Sequence, residues 1–137
     1  MRTKLLTMFL FMAVGVLAFG QSAEEMDALL ADEGVSFARA ARYVLPAAEI
    51  LSEDVPEADA FRAARERGWL PSSAAPDDSI RLDQFSYLVM KAFSLKGGIC
   101  YSLFPGRRYA YRELLSRNYV QGRSDPSQAL SGSRLVL

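Results

Sequence analysis

Histidine is absent from all 137 residues. The side chain that most often serves as general base, metal ligand and proton switch near neutral pH is therefore missing, and most catalytic triads go with it. Cysteine occurs once, at Cys100. No internal disulfide can form, so apolar packing alone must hold the domain together. The thiol is expected to be a small buried hydrophobe, with an intermolecular bridge as the alternative. Lys96 and Arg107 lie near it in sequence and favour a thiolate, but no histidine activates it, so a catalytic cysteine is not expected. No glycine-rich segment follows a strand pattern, which removes a phosphate-cradling loop. Residues 76–83, PDDSIRLD, lack the alternating oxygen ligands and glycine turn of an EF-hand, so Asp77, Asp78 and Asp83 read as helix-capping groups. Together these absences predict a protein that is not an enzyme and carries no cofactor or metal.

Charge of one sign is also lacking. Sixteen basic residues balance sixteen acidic ones. Without Arg2 and Lys4 the remainder carries fourteen basic and sixteen acidic residues, or minus two. A general nucleic-acid binder would show a clustered basic excess, so nucleic acid is not an expected partner.

What is present begins at the N-terminus. Arg2 and Lys4 precede an uncharged apolar run, Leu5 to Phe19, followed by Gly20, Gln21 and Ser22. This is the order of a secretory signal peptide. Residues 1–20 are assigned to it, with cleavage after Gly20 and no cysteine at the cut for a lipid anchor. The competing reading is an uncleaved anchor, although the run is shorter than the roughly 20 residues a spanning helix needs. Either way the folded part, residues 21–137, is expected outside the cytoplasm, in the periplasm or cell envelope. Its length suits one small domain.

Within that domain, residues 60–87 align without a gap on residues 110–137. Ala60, Arg62, Arg67 and Pro76 meet Ala110, Arg112, Arg117 and Pro126. Phe61 meets Tyr111, Trp69 meets Tyr119, Ile80 meets Leu130 and Phe85 meets Leu135. Apolar size is matched at apolar positions, as a repeat that stacks equivalent faces requires.

Hydrophobic periodicity predicts helices throughout. Phe37, Ala40, Ala41, Val44 and Leu45 form one helical face that Ser36 caps and Pro46 ends or kinks. A shorter helix over residues 23–31 precedes it. The next opens at Pro56 and stops at Gly68, with Phe61, Ala64, Gly68 and Trp69 inward and Arg62 paired with Glu66. Residues 71–79 read as a loop. A helix over residues 82–95 places Phe85, Leu88, Val89, Ala92 and Phe93 on one stripe, and another covers residues 107–118. The last begins at Ser131 and reaches Leu137 after fewer than two turns, so either it is shortened or the chain is a fragment. The expected fold class is all-α, a small helical domain of about two helix-loop-helix repeats.

Two surface candidates emerge. Arg108 and Arg112 lie one turn apart with Tyr109 beside them, a set that can grip carboxylate or phosphate and stack on a sugar ring. A solvated helix face is the competing reading. The segment GGICYSLFPG, residues 97–106, is unusually apolar for a connection. Ile99, Tyr101, Leu103 and Phe104 are expected to tuck under the domain; exposed, Leu103 and Phe104 would form a partner-binding patch.

The order found twice is a helix ending in Gly or Asn plus an aromatic, a loop with proline, then an aliphatic residue opening another helix. The stretches are RERGWLPSSAAPDDSIRLDQFSYLV and LSRNYVQGRSDPSQALSGSRLVL, with Pro76 four residues before Ile80 and Pro126 four before Leu130. This resembles the S-layer homology family over residues 34–137, with Val35, Ser36 and Phe37 similar to an earlier helix start. The resemblance implies a helical repeat module and an envelope setting. The family's arginine for anionic wall polysaccharide falls at Phe37, Leu82 and Gly132, so its ligand site does not carry over. The function expected is non-catalytic docking to cell-wall polysaccharide or peptidoglycan, or to another envelope protein. The alternative is a periplasmic interaction adaptor using the 97–106 segment.

Overall fold

The computed structural model describes residues 23–120 and 125–136. The signal-peptide assignment to residues 1–20 lies outside them. Among the described residues every regular element is a helix: α1 over residues 23–30, α2 Phe37–Ala47, α3 Glu57–Glu66, α4 Leu82–Ala92, α5 Ile99–Leu103, α6 Arg107–Ser116 and α7 Gly132–Val136. The domain is all-α.

The boundaries make the repeat explicit. Helix α6 stands 50 residues after α3, α7 starts 50 after α4, and α4 stands 45 after α2. Three copies of a helix start therefore follow Val35, Ile80 and Leu130. Equivalent positions are buried in equivalent helices: Ala60, Phe61 and Ala64 in α3 match Ala110, Tyr111 and Leu114 in α6.

Helix ends repeat as well. After α2, α3, α4 and α6 one residue turns to positive φ: Glu49 at 59°, Gly68 at 72°, Ser94 at 50° and Asn118 at 60°. The next N–H then reaches back to a carbonyl in the last turn, as in Ile50 to Leu45, Trp69 to Ala64, Leu95 to Met90 and Tyr119 to Leu114. This left-handed cap satisfies carbonyls the helix leaves open.

The three helix starts meet at the centre. Val35 N–H donates to the Leu130 carbonyl, Leu130 N–H to Ile80, and Ile80 N–H to Val35, each at 2.8 Å. The ring is closed, and its three side chains are buried. A second layer surrounds it, with Phe37 N–H donating to Asp78 (2.9 Å), Leu82 to Gln128 (2.9 Å) and Gly132 to Asp32 (2.8 Å). Beyond that, Ala38 N–H donates to Pro76 and Asp83 N–H to Pro126, both at 3.0 Å. First-turn donors of α2, α4 and α7 are thus satisfied by the loop before the neighbouring copy. This explains why Pro76 and Pro126 recur at a fixed distance before Ile80 and Leu130.

Several details differ from the sequence expectations. Arg62 pairs with Asp59 at 3.2 Å rather than with Glu66, because the i,i+3 partner at the acidic N-terminal turn is nearer. Helix α3 starts at Glu57, with Pro56 as its N-cap. Helix α4 ends at Ala92, since Ser94 adopts positive φ, and Phe93 leaves the apolar stripe for solvent. Gly68 is exposed rather than inward. Ser36 caps α2 as expected, accepting the Arg39 N–H at 3.2 Å. Arg81, which stands in the cap position of α4, instead forks onto Asp83 at 3.1 and 2.7 Å, while its N–H donates to the Gln84 side chain.

Candidate functional site

Each junction between copies leaves a cleft. The first is bounded by Gly68, Trp69, Leu70 and Pro71 after α3, Gln84 and Tyr87 of α4, and Pro105, Gly106 and Arg107 at the start of α6, and encloses about 300 Å³. The second encloses about 500 Å³. Asn118, Tyr119, Val120 and Arg134 on its wall are the 50-residue counterparts of Gly68, Trp69, Leu70 and Gln84. The two clefts therefore share one wall, with an aromatic ring where one helix pair ends and a polar side chain from the next helix start, while the rest of their linings differ.

The two clefts differ in depth and chemistry. In the first, Trp69 is half-buried and Leu70 buried. Arg67 lies over the Trp69 ring at 5.6 Å and Lys91 over Tyr87 at 5.5 Å, so both aromatic faces carry a cation. In the second, α7 is short. Tyr119 stays 66 % exposed and the floor is apolar, lined by Phe85, Val89, Leu114 and Leu135.

Arg108, Tyr109 and Arg112 lie outside these cleft linings. Arg108 and Arg112 are exposed on α6 with no ion pair among the described residues. Tyr109 is half-buried and its ring stacks on Phe104, with centroids 6.3 Å apart and an interplanar angle of 29°. Tyr109 of the polar candidates therefore touches Phe104 of the apolar segment. Sequence reasoning passed over Gln84 and Tyr87, and it read Trp69 as an inward aromatic and Arg107 as a neighbour of Arg108 and Arg112 rather than as parts of one cleft. The repeat alignment contained the signal for Trp69, since Trp69 and Tyr119 are matched aromatics, but Tyr87 and Arg107 join it only through the fold.

The 97–106 segment departs from expectation. Only Tyr101 tucks in, against Met90, Ala110 and Leu114. Ile99, Leu103 and Phe104 are 80 %, 67 % and 65 % exposed. Cys100 is exposed too, not buried. The reason is the five-residue length of α5, which has one inward face, and Tyr101 takes it. Burial of Tyr101 pushes its phenol pKa up.

The segment is fixed at its base by Glu113. Its carboxylate accepts the Gly98 N–H at 2.9 Å and the Arg117 guanidinium at 2.9 Å, while Arg117 also reaches the Lys96 carbonyl. The Gly98 hydrogen bond is the largest influence on the Glu113 carboxyl and, together with the Arg117 pair, holds it below the usual range against the opposing effect of burial.

Among the described residues no group of three His, Cys, Asp or Glu side chains is placed to hold a metal ion. No helix among them is long and apolar enough to cross a membrane. No family model, curated protein or solved structure matches this chain.

Proposed function

We propose that the protein is a non-catalytic, exported component of a bacterial cell envelope that docks onto cell-wall polymer, peptidoglycan or polysaccharide, through the clefts between its copies. The supporting observation is the wall the two clefts share, with Trp69 or Tyr119 lining the same cleft as Gln84 or Arg134. A flat aromatic face suits the apolar side of a sugar ring. Neighbouring amide and guanidinium donors suit its hydroxyls and the carboxylate or phosphate of an anionic polymer. The export signal pattern and the likeness to S-layer homology repeats support the same setting. The departure of Phe37, Leu82 and Gly132 from that family's arginine shifts the expected grip to Arg107 and Arg134.

Co-sedimentation with purified peptidoglycan sacculi, before and after stripping attached polymers, tests this reading. Retention at low salt is expected, with Arg107→Ala weakening it more than Arg108→Ala or Arg112→Ala. Arg107 is exposed, so its loss should leave helicity unchanged. A folded protein that stays in the supernatant with both preparations would remove the polymer as ligand.

A further inference from the structure

The copies differ most where α5 sits. The connection between α2 and α3 covers residues 48–56, and that between α4 and α6 covers residues 93–106, longer by the five residues of α5. The shorter connection folds its apolar residues in: Ile50 and Leu51 are half-buried and Val55 is buried, around Glu49, Glu53 and Asp54. The longer one does the reverse, holding Ile99, Leu103 and Phe104 out in solvent. The first copy closes its hairpin without such an insertion, so these three side chains are not required by the repeat.

Charge reverses in parallel. From Lys96 to Arg112 the chain carries four basic residues and no acidic one, within a domain whose remainder is acidic. Glu113, the next acid, is already engaged by Gly98 and Arg117. Lys96, Arg108 and Arg112 are exposed and flank the apolar segment in sequence.

We propose that this α5 tip docks onto the surface of an anionic phospholipid bilayer, Ile99, Leu103 and Phe104 entering the interface while Lys96, Arg108 and Arg112 meet headgroup phosphates. A short apolar insertion combined with a basic patch is the two-signal arrangement that peripheral membrane attachment needs. The shape favours a bilayer over a protein partner: the three side chains line neither inter-copy cleft. Their combined area is also well short of the roughly 800 Å² a side that a stable protein interface buries. The Phe104–Tyr109 stack and the Glu113 anchor fix the tip before contact, which limits the ordering lost on docking. This inference does not rest on the wall-docking reading, whose clefts use other residues.

The sole cysteine supplies the test, because Cys100 is exposed within the tip. The chain from Gln21 onward contains every described core residue and omits the apolar run of residues 5–19. Labelled at Cys100 with an environment-sensitive fluorophore, it is mixed with vesicles of equal parts phosphatidylglycerol and phosphatidylcholine. A blue shift is expected, absent on pure phosphatidylcholine and reversed by salt. Leu103→Asp with Phe104→Asp should abolish it, and each of Lys96→Gln, Arg108→Gln and Arg112→Gln should weaken binding about fivefold. Circular dichroism checks that the variants keep their helicity, and the milder Ile99→Ser serves if the double variant does not. Three results would each overturn the proposal: no shift with a folded protein, equal binding to neutral vesicles, or a shift only on adding an envelope protein fraction.

Discussion

Gly132 opens α7, and local geometry explains the glycine. A Cβ at this position would lie 1.5 Å from the Leu29 carbonyl oxygen and 2.6 Å from its carbon. The obstacle is backbone, which cannot rotate aside. Gly132→Ala is therefore expected to push α7 off the end of α1, break the Gly132 to Asp32 hydrogen bond and cost about 1–3 kcal/mol, read as a lower urea midpoint. Gly68→Ala should act differently. Nothing lies within 4 Å of its would-be Cβ, and only the φ of 72° resists, so about 1 kcal/mol is expected, with Gly68→Asn nearer neutral. Asn118 already holds the equivalent position at φ 60°. The sequence showed this pair, because glycine and asparagine are the residues that tolerate left-handed backbone. Glu49 and Ser94 were not legible, since neither type announces the same turn. Nor was Gly132, whose neighbour is about a hundred residues away in sequence.

Among the elements, α3 and α6 follow from apolar spacing alone, because each needs only one inward face. The α5 segment was legible as apolar but not as exposed. Its orientation is decided by Tyr101 packing on Met90 and by Glu113 holding Gly98, contacts between residues that no periodicity links. Glu113 therefore carries a pH-dependent share of the tip's order. Its folded-state pKa is lowered, so its contribution is present above the unfolded carboxyl pKa and is lost as pH falls through the folded one. Glu113→Gln should cost below about 1 kcal/mol at neutral pH, the range for a partly exposed ion pair, and nothing once the acid is protonated. Amide hydrogen exchange at Gly98 checks this: the variant should exchange faster than the parent near neutrality, and the difference should shrink toward acid pH.

At the scale of the whole molecule, the central ring makes each copy depend on the next two. Ile80 is fully buried in it, so Ile80→Ala is expected to cost about 2–5 kcal/mol and to unfold the domain as one unit. The 50-residue offset could be seen in the sequence; the ring could not, because its bonds run between backbone groups that carry no side-chain signal. The second cleft has the more open wall: Trp69 is half-buried and Leu70 buried in the first, whereas Tyr119 is 66 % exposed and, with Val120, faces a cavity of about 500 Å³. Equivalence maps Leu137 onto Tyr87, so the residues that would fill this space are those of the segment 88–95, LVMKAFSL. Appending that segment after Leu137 should extend α7, bury the counterparts of Leu88 and Val89 against Phe85 and Leu114, and add about 1–3 kcal/mol of stability. The check is a thermal melt against the same extension with serine at its apolar positions. A gain confined to the apolar version, with quenching protection of Tyr119, would show that the three-copy geometry specifies the occupant of the cleft. Equal melts for both extensions would mean that the equivalence ends with α7.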